Sequence, residues 1–143
     1  MARIKIELPG KCIASFQIPV RITDINYGNH LGNDSLVAII HEARMQFLHQ
    51  HNYTEMDVAG TSLIMNDLLV EFKSEAFYKD ILEVSLFTGE IFKVGFELFY
   101  SLYATRGQSS ILIAKAKTGM VCFDYKEKKL MQVPGELKKI LLN

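Results

Sequence analysis

The chain has 143 residues, 49% hydrophobic and 22% charged, with sixteen basic residues against sixteen acidic ones. A chain of this length buries about 68–70% of its unfolded surface, so it forms an ordinary core without staples, and a single domain over 1–143 is expected. The charge balance argues against nucleic acid as the main partner, and no stretch reaches the roughly 18 apolar residues of a membrane span. Cys12 and Cys122 have neither zinc nor disulfide-framework spacing and read as inert thiols. "MARIKIELPGKC" lacks the long apolar core of a secretory signal, so the expected address is cytoplasmic.

The first element is a strand in which Phe16, Ile18, Val20 and Ile22 alternate. Continued as a strand, it would turn Asp24 and Asn26 to the same buried side. Pro19 marks it as an edge strand or a bulged one. Next comes "TDINYGNHLGND", Thr23 to Asp34, which crowds Asn, Asp, Gly and a His between two apolar runs. Asn33 or Asp34 suits the N-cap of the helix that follows. Leu36, Ile40, Ala43 and Phe47 recur at helical spacing, and Val37, Ile39 and Leu48 widen the stripe, so this helix is expected to be largely buried.

The second half reads as four strands, in "TSLIMNDLLVEFKSE", "DILEVSLFTGEIF", "VGFELFYSLYAT" and "SSILIAKAKTGMVCFDY". The short breaks between them favour antiparallel pairing. A short helix closes the chain near "VPGELKKILL", with Pro134 in its first turn. One long helix followed by successive strands defines an α+β fold, with the helix on one face of a sheet of about five strands.

Polar side chains at the end of the first strand therefore meet a helix N-terminus. That end offers unpaired N–H groups and the positive pole of a dipole, a suitable place to hold a developing oxyanion.

The stretch "VRITDINYGNHLGNDSLVAIIHEARMQFL" resembles the opening of hotdog-fold acyl-CoA thioesterases of the 4-hydroxybenzoyl-CoA thioesterase group. The matching residues are Val20, Asp24, His30, Asn33, Glu42, Ala43 and Arg44. "LLVEFKSEAFYKDILEVSLF" and "VPGELKKIL" resemble later parts of the same family, so the resemblance covers nearly the whole chain. It implies a long central helix wrapped by a curved antiparallel sheet, assembly into a homodimer or homotetramer, and active sites between subunits. It also implies hydrolysis of an acyl-CoA or acyl-carrier-protein thioester, with no cofactor and no metal.

Four residues are the candidate catalytic set. His30 is the only His in the turn, and histidine titrates nearest neutral pH, which suits a base that deprotonates water. A loop His bonded to backbone carbonyls is the alternative. Asn26 stands where the family has its catalytic Asp. An amide cannot act as a base or as a carboxylate nucleophile, but it can orient water or donate to a carbonyl; it also suits an Asx turn. Asp24 is read as a structural acid or a partner for His30. By family analogy the backbone N–H at Asn33 or Gly32 is the oxyanion donor. Glu42, Arg44 and His41 read as structural, and Asp67 and Glu71 as candidates for a carboxylate shared across a dimer.

Two other functions stay open at this point. One is a hotdog protein that binds acyl thioesters without cleaving them, for which Asn26 is the best support. The other is a hydratase or dehydratase pairing His30 with a carboxylate.

Overall fold

The computed structural model describes residues 3–143, so Met1 and Ala2 of the N-terminal stretch read above lie outside it. Six elements form the main body, β1 (Cys12–Pro19), α1 (Asn33–Gln50), β2 (Ser62–Phe72), β3 (Ile81–Ile91), β4 (Gly95–Arg106) and β5 (Ser109–Asp124), followed by β6 (Lys129–Leu130) and α2 (Gly135–Leu142). The sheet is antiparallel in the order β1-β3-β4-β5-β2, with the two-residue β6 added to β5. This is the α+β hotdog arrangement, a central helix against a curved sheet.

The core lies between α1 and one face of the sheet. The expected stripe is the buried one: Leu36, Ile39, Ile40, Ala43, Phe47 and Leu48 are all buried, while Val37 is half-buried. Opposite it, Phe96, Leu98, Tyr100, Leu102 and Ala104 alternate along β4, and Ala114, Ala116, Thr118 and Met120 along β5. Their period of two gives one face to the helix. α1 packs closest to the β1 and β3 side of the sheet.

β1 is an edge strand, as Pro19 requires, and its register with β3 also shifts between Cys12 and Ala14. β2 forms the other edge. Its register with β5 shifts between Met65 and Asp67, making Asn66 a bulge. The bulge changes parity: Leu63 and Met65 face α1 before it, and Leu68, Val70 and Phe72 after it. An apolar run with no single alternation thus keeps one apolar face.

The first strand ends sooner than its alternation suggests. After Pro19 the chain forms a 3-10 turn, Ile22–Asp24, which leaves Ile22 exposed and buries Asp24. Cys122 is buried, which pushes its thiol pKa up to about 11, whereas Cys12 is exposed. No helix among the described residues is long and apolar enough to cross a membrane.

Candidate active site

The turn between β1 and α1 is held by its own polar groups. Asn26 N–H donates to the His30 carbonyl at 2.9 Å, and Asn29 N–H to the Asn26 carbonyl at 3.0 Å. Asn26 Oδ1 accepts from Gly28 N–H at 2.9 Å, an Asx turn. Asn29 takes φ +67°, a conformation that Asn tolerates better than most residues. Leu31 N–H donates to the Ala76 carbonyl at 2.8 Å and Gly32 N–H to the Asp24 carbonyl at 3.0 Å, so the turn is anchored to the β2–β3 connection and to itself.

Within this frame, His30 Nδ1 lies 3.1 Å from the Leu31 carbonyl. A carbonyl only accepts, so the neutral ring carries its proton on Nδ1 and leaves the Nε2 lone pair free. A Cβ on Gly28 would stand 3.2 Å from both His30 Nε2 and Asn26 Oδ1, so the two side chains converge over this glycine. The Asx turn expected of Asn26 is present, and it uses the side-chain oxygen.

α1 begins at Asn33 with Gly32 as N-cap, in place of the expected Asn33 or Asp34, and no side chain caps the helix. The N-terminal donors of α1 are therefore not taken by a capping side chain. A Cβ on Gly32 would lie 2.7 Å from Asp34 Oδ1, which favours glycine where the chain enters the helix. His30 and Asn33 line one cleft of about 590 Å³, together with Leu36, Phe72, Phe77 and Arg106.

Asp24 sits elsewhere. Its carboxylate accepts from Arg21 N–H at 2.8 Å and lies 3.4 Å from the Arg21 guanidinium, and it borders a separate hollow between β1 and α1. Thus His30 and Asn33 share a cleft, Asn26 lies beside Gly28 and is not among the residues lining that cleft, and Asp24 is engaged in closing the turn.

The other carboxylates considered from sequence are also engaged. Asp67 accepts from Gly119 N–H at 2.8 Å and from Lys117 at 3.0 Å. Glu71 accepts from Ile6 N–H at 3.0 Å and pairs with Lys73 at 3.0 Å. The Ile6 N–H, then the Lys73 ammonium, hold the Glu71 carboxyl below its usual range. Glu42 accepts from Gln46. Arg106 donates to the Glu75 carbonyl and to Asp80.

The sequence reading missed Glu55. It accepts from Arg44 Nε at 2.7 Å and lies 2.7 Å from His41 Nε2. Arg44 Nη1 donates to the Tyr100 hydroxyl at 3.2 Å, and Tyr100 in turn meets Thr118 Oγ1 at 2.7 Å. Burial alone would raise the Glu55 carboxyl, but Arg44 and His41 outweigh it and hold it below the ordinary value. Among the described residues, no group of three or more His, Cys, Asp and Glu side chains is disposed to hold a metal.

Comparison with known proteins identifies the class. Residues 20–141 match the model of the thioesterase-like superfamily, and the chain belongs to that family. Among solved structures, a 1,4-dihydroxy-2-naphthoyl-CoA thioesterase from Synechocystis superposes with a TM-score of 0.76 at 17% identity, covering 90% of this chain and 95% of that one. A mutant 4-hydroxybenzoyl CoA thioesterase complexed with 4-hydroxybenzoyl CoA gives 0.78 at 15% identity, over 90% and 97%. A hypothetical protein from Aquifex aeolicus gives 0.78 at 22% identity, over 90% and 98%. At these identities the likeness is one of fold. No curated protein matches the chain by sequence.

Proposed function

We propose that this protein hydrolyses acyl-CoA or acyl-carrier-protein thioesters at the N-terminus of α1. The observation that carries this reading is the α1 N-terminus without a side-chain cap, beside His30 in the 590 Å³ cleft. The thioester carbonyl rests on the N–H groups at Asn33, where the developing oxyanion meets the helix dipole. Asn26 holds the attacking water through its amide nitrogen, and His30 Nε2 takes the water's proton. The hydroxide oxygen attacks the carbonyl carbon, and the tetrahedral intermediate expels the thiolate, which takes up the proton. Asp24 shapes the turn and does not touch the reacting atoms.

Assembly follows from the same reading. β2 ends the sheet, and among the described residues no strand pairs with its outer edge, so a homodimer or homotetramer with sites near subunit boundaries is proposed. The test of the activity is a panel of acyl-CoA substrates of varied length, with release of free thiol followed over many turnovers. Sustained turnover supports the reading; tight binding with no turnover on any substrate favours the non-catalytic alternative, for which Asn26 in place of a carboxylate is the specific support.

A further inference from the structure

The segment that leads into β1 crosses the face of the sheet turned away from α1. Along β5, Ala114 and Ala116 belong to the buried face, so Lys115 between them points the other way. Glu71, between Val70 and Phe72 on β2, points the same way and stands directly opposite Lys115 in the β2–β5 register. Ile6 lies over this pair. Its N–H donates to Glu71 Oε1 at 3.0 Å, and its carbonyl accepts from Lys115 Nζ at 3.2 Å. Ile6 is 4% exposed, whereas Ile4, Lys5 and Glu7 around it are exposed. Among the described residues no backbone–backbone hydrogen bond involves residues 3–11. The segment is thus held at Ile6, by both its backbone polar groups, and at Lys11, whose Nζ donates to the Leu142 carbonyl at 3.1 Å. It lies outside residues 20–141, the stretch that matches the family.

This contact is linked to the candidate site. Glu71 Oε2 lies 3.0 Å from Lys73 Nζ. The N–H groups of Lys73 and Ser74 both donate to the Ile113 carbonyl, at 2.9 and 3.1 Å, and all three residues line the cleft at His30. Glu71 is 7% exposed, so its charge depends on these partners. Deprived of the Ile6 N–H, the carboxylate would move toward water and draw the Lys73 ammonium with it.

We propose that Ile6, Glu71 and Lys115 form a clasp, and that Glu71 is the positioning residue through which the segment before β1 holds the Lys73–Ser74 wall of the cleft. The inference rests on the hydrolase reading above. Glu71 acts through Lys73 and does not touch the reacting atoms. Opening the clasp weakens substrate binding and leaves the chemistry at His30 in place.

The test uses the full-length protein and two variants that open the clasp from opposite sides. Ile6→Pro removes the N–H that Glu71 accepts, and Lys115→Met removes the donor to the Ile6 carbonyl. Neither residue lines the cleft. Hydrogen exchange at the Lys73 and Ser74 amides should quicken in both, with β4 amides as the reference for the folded core. On the acyl-CoA that wild type cleaves best, KM should rise by about threefold to tenfold, the effect of losing one ordinary hydrogen bond, with kcat within about twofold. Glu71→Gln keeps an acceptor for Ile6 but loses the charge on Lys73, so it should raise KM alone, and adding Ile6→Pro to it should raise KM little further. Unchanged exchange at Lys73 and Ser74 in both opening variants would overturn the clasp. A fall in kcat with KM unmoved, or full additivity of Ile6→Pro and Glu71→Gln, would overturn the positioning role. If wild type cleaves no acyl-CoA or acyl-carrier-protein thioester, the hydrolase reading falls and the positioning role with it, whereas exchange at Lys73 and Ser74 still decides the clasp.

Discussion

Arg44 Nε donates to Glu55 Oε2 at 2.7 Å, and this bond ties the middle of α1 to the loop that leads into β2. The same loop is fixed to the strand where Leu63 N–H donates to the Glu55 carbonyl. Arg44 is a buried charge, so its partners matter more than those of a surface pair. Removing the carboxylate in Glu55→Ala should cost about 3 kcal/mol, at the low end for a buried pair because Glu55 retains some contact with water. The pH dependence has a definite sign. The Glu55 carboxyl is held below its ordinary value in the folded state, so its contribution is fully present above the unfolded value of about 4.3 and is lost as pH falls through the folded one. Denaturant unfolding of wild type and Glu55→Ala should therefore show a gap at pH 7 that narrows in acid. A gap that stays constant would mean Glu55 is not ionised in the fold.

Tyr100 continues the same chain of bonds. Its hydroxyl meets both Arg44 and Thr118, and burial raises its pKa, so it acts as a neutral phenol. Tyr100→Phe should destabilise the protein by about 1–2 kcal/mol, because the Thr118 hydroxyl is left buried without that partner. Adding Thr118→Val should recover part of the loss. Strict additivity of the two substitutions would show that the hydroxyl pair is not coupled.

How far the sequence foretells this structure depends on the range of the signal. The α1 stripe was legible because Leu36, Ile40, Ala43 and Phe47 repeat within one element, and the strands because polar breaks separate them. The turn residues were legible as a cluster because Asn, Gly and His have strong local preferences. Features that depend on a distant partner were not. The bulge at Asn66 is defined only by its register against β5. Gly32 rather than Asn33 or Asp34 is the N-cap of α1, a one-residue offset that no local cap preference shows. Ile22 continues an alternating row in sequence, yet the 3-10 turn after Pro19 rotates it into solvent. Glu55 lies fourteen residues from His41 with no periodic relation to it, so their pairing could be seen only once α1 and its following loop were folded together.

The outer edge of β2 makes a prediction about assembly. Ten of the eleven residues of β2 pair with β5, no strand among the described residues pairs with its other side, and Met65, Leu68 and Phe72 are exposed. Natural proteins cover such edges or pair them. Sedimentation at micromolar concentration should show a dimer or a larger assembly. A strictly monomeric protein would remove the subunit boundary from the proposed site.

Asn26 tests how water is held. Its oxygen accepts from Gly28 N–H, a role that a carboxylate also fills, so Asn26→Asp should fold as wild type does. The new carboxylate stands where the family has its catalytic Asp, and the variant should match or exceed wild-type turnover. Asn26→Ala loses both the turn acceptor and the donor to water, and its turnover should drop by tenfold or more, on the order of a lost catalytic hydrogen bond. Full turnover in Asn26→Ala would leave this residue only its place in the turn.

His30 carries the sharpest prediction. Its Nδ1 is occupied by the Leu31 carbonyl, and its Nε2 lies near Gly28, as does Asn26 Oδ1. If Nε2 takes the proton of water, protonating the ring removes the base, and hydrolysis should fall as the pH is lowered. His30→Gln keeps a polar side chain of similar reach but cannot accept that proton. General-base help is typically worth about 10²–10⁴-fold, so kcat should fall by roughly that factor while KM changes little. A structural His30 predicts the reverse: the Gln variant would retain most of its turnover, and the pH profile would follow another group. Near-wild-type kcat in a folded His30→Gln protein, with the acid limb of the profile intact, would exclude His30 as the base.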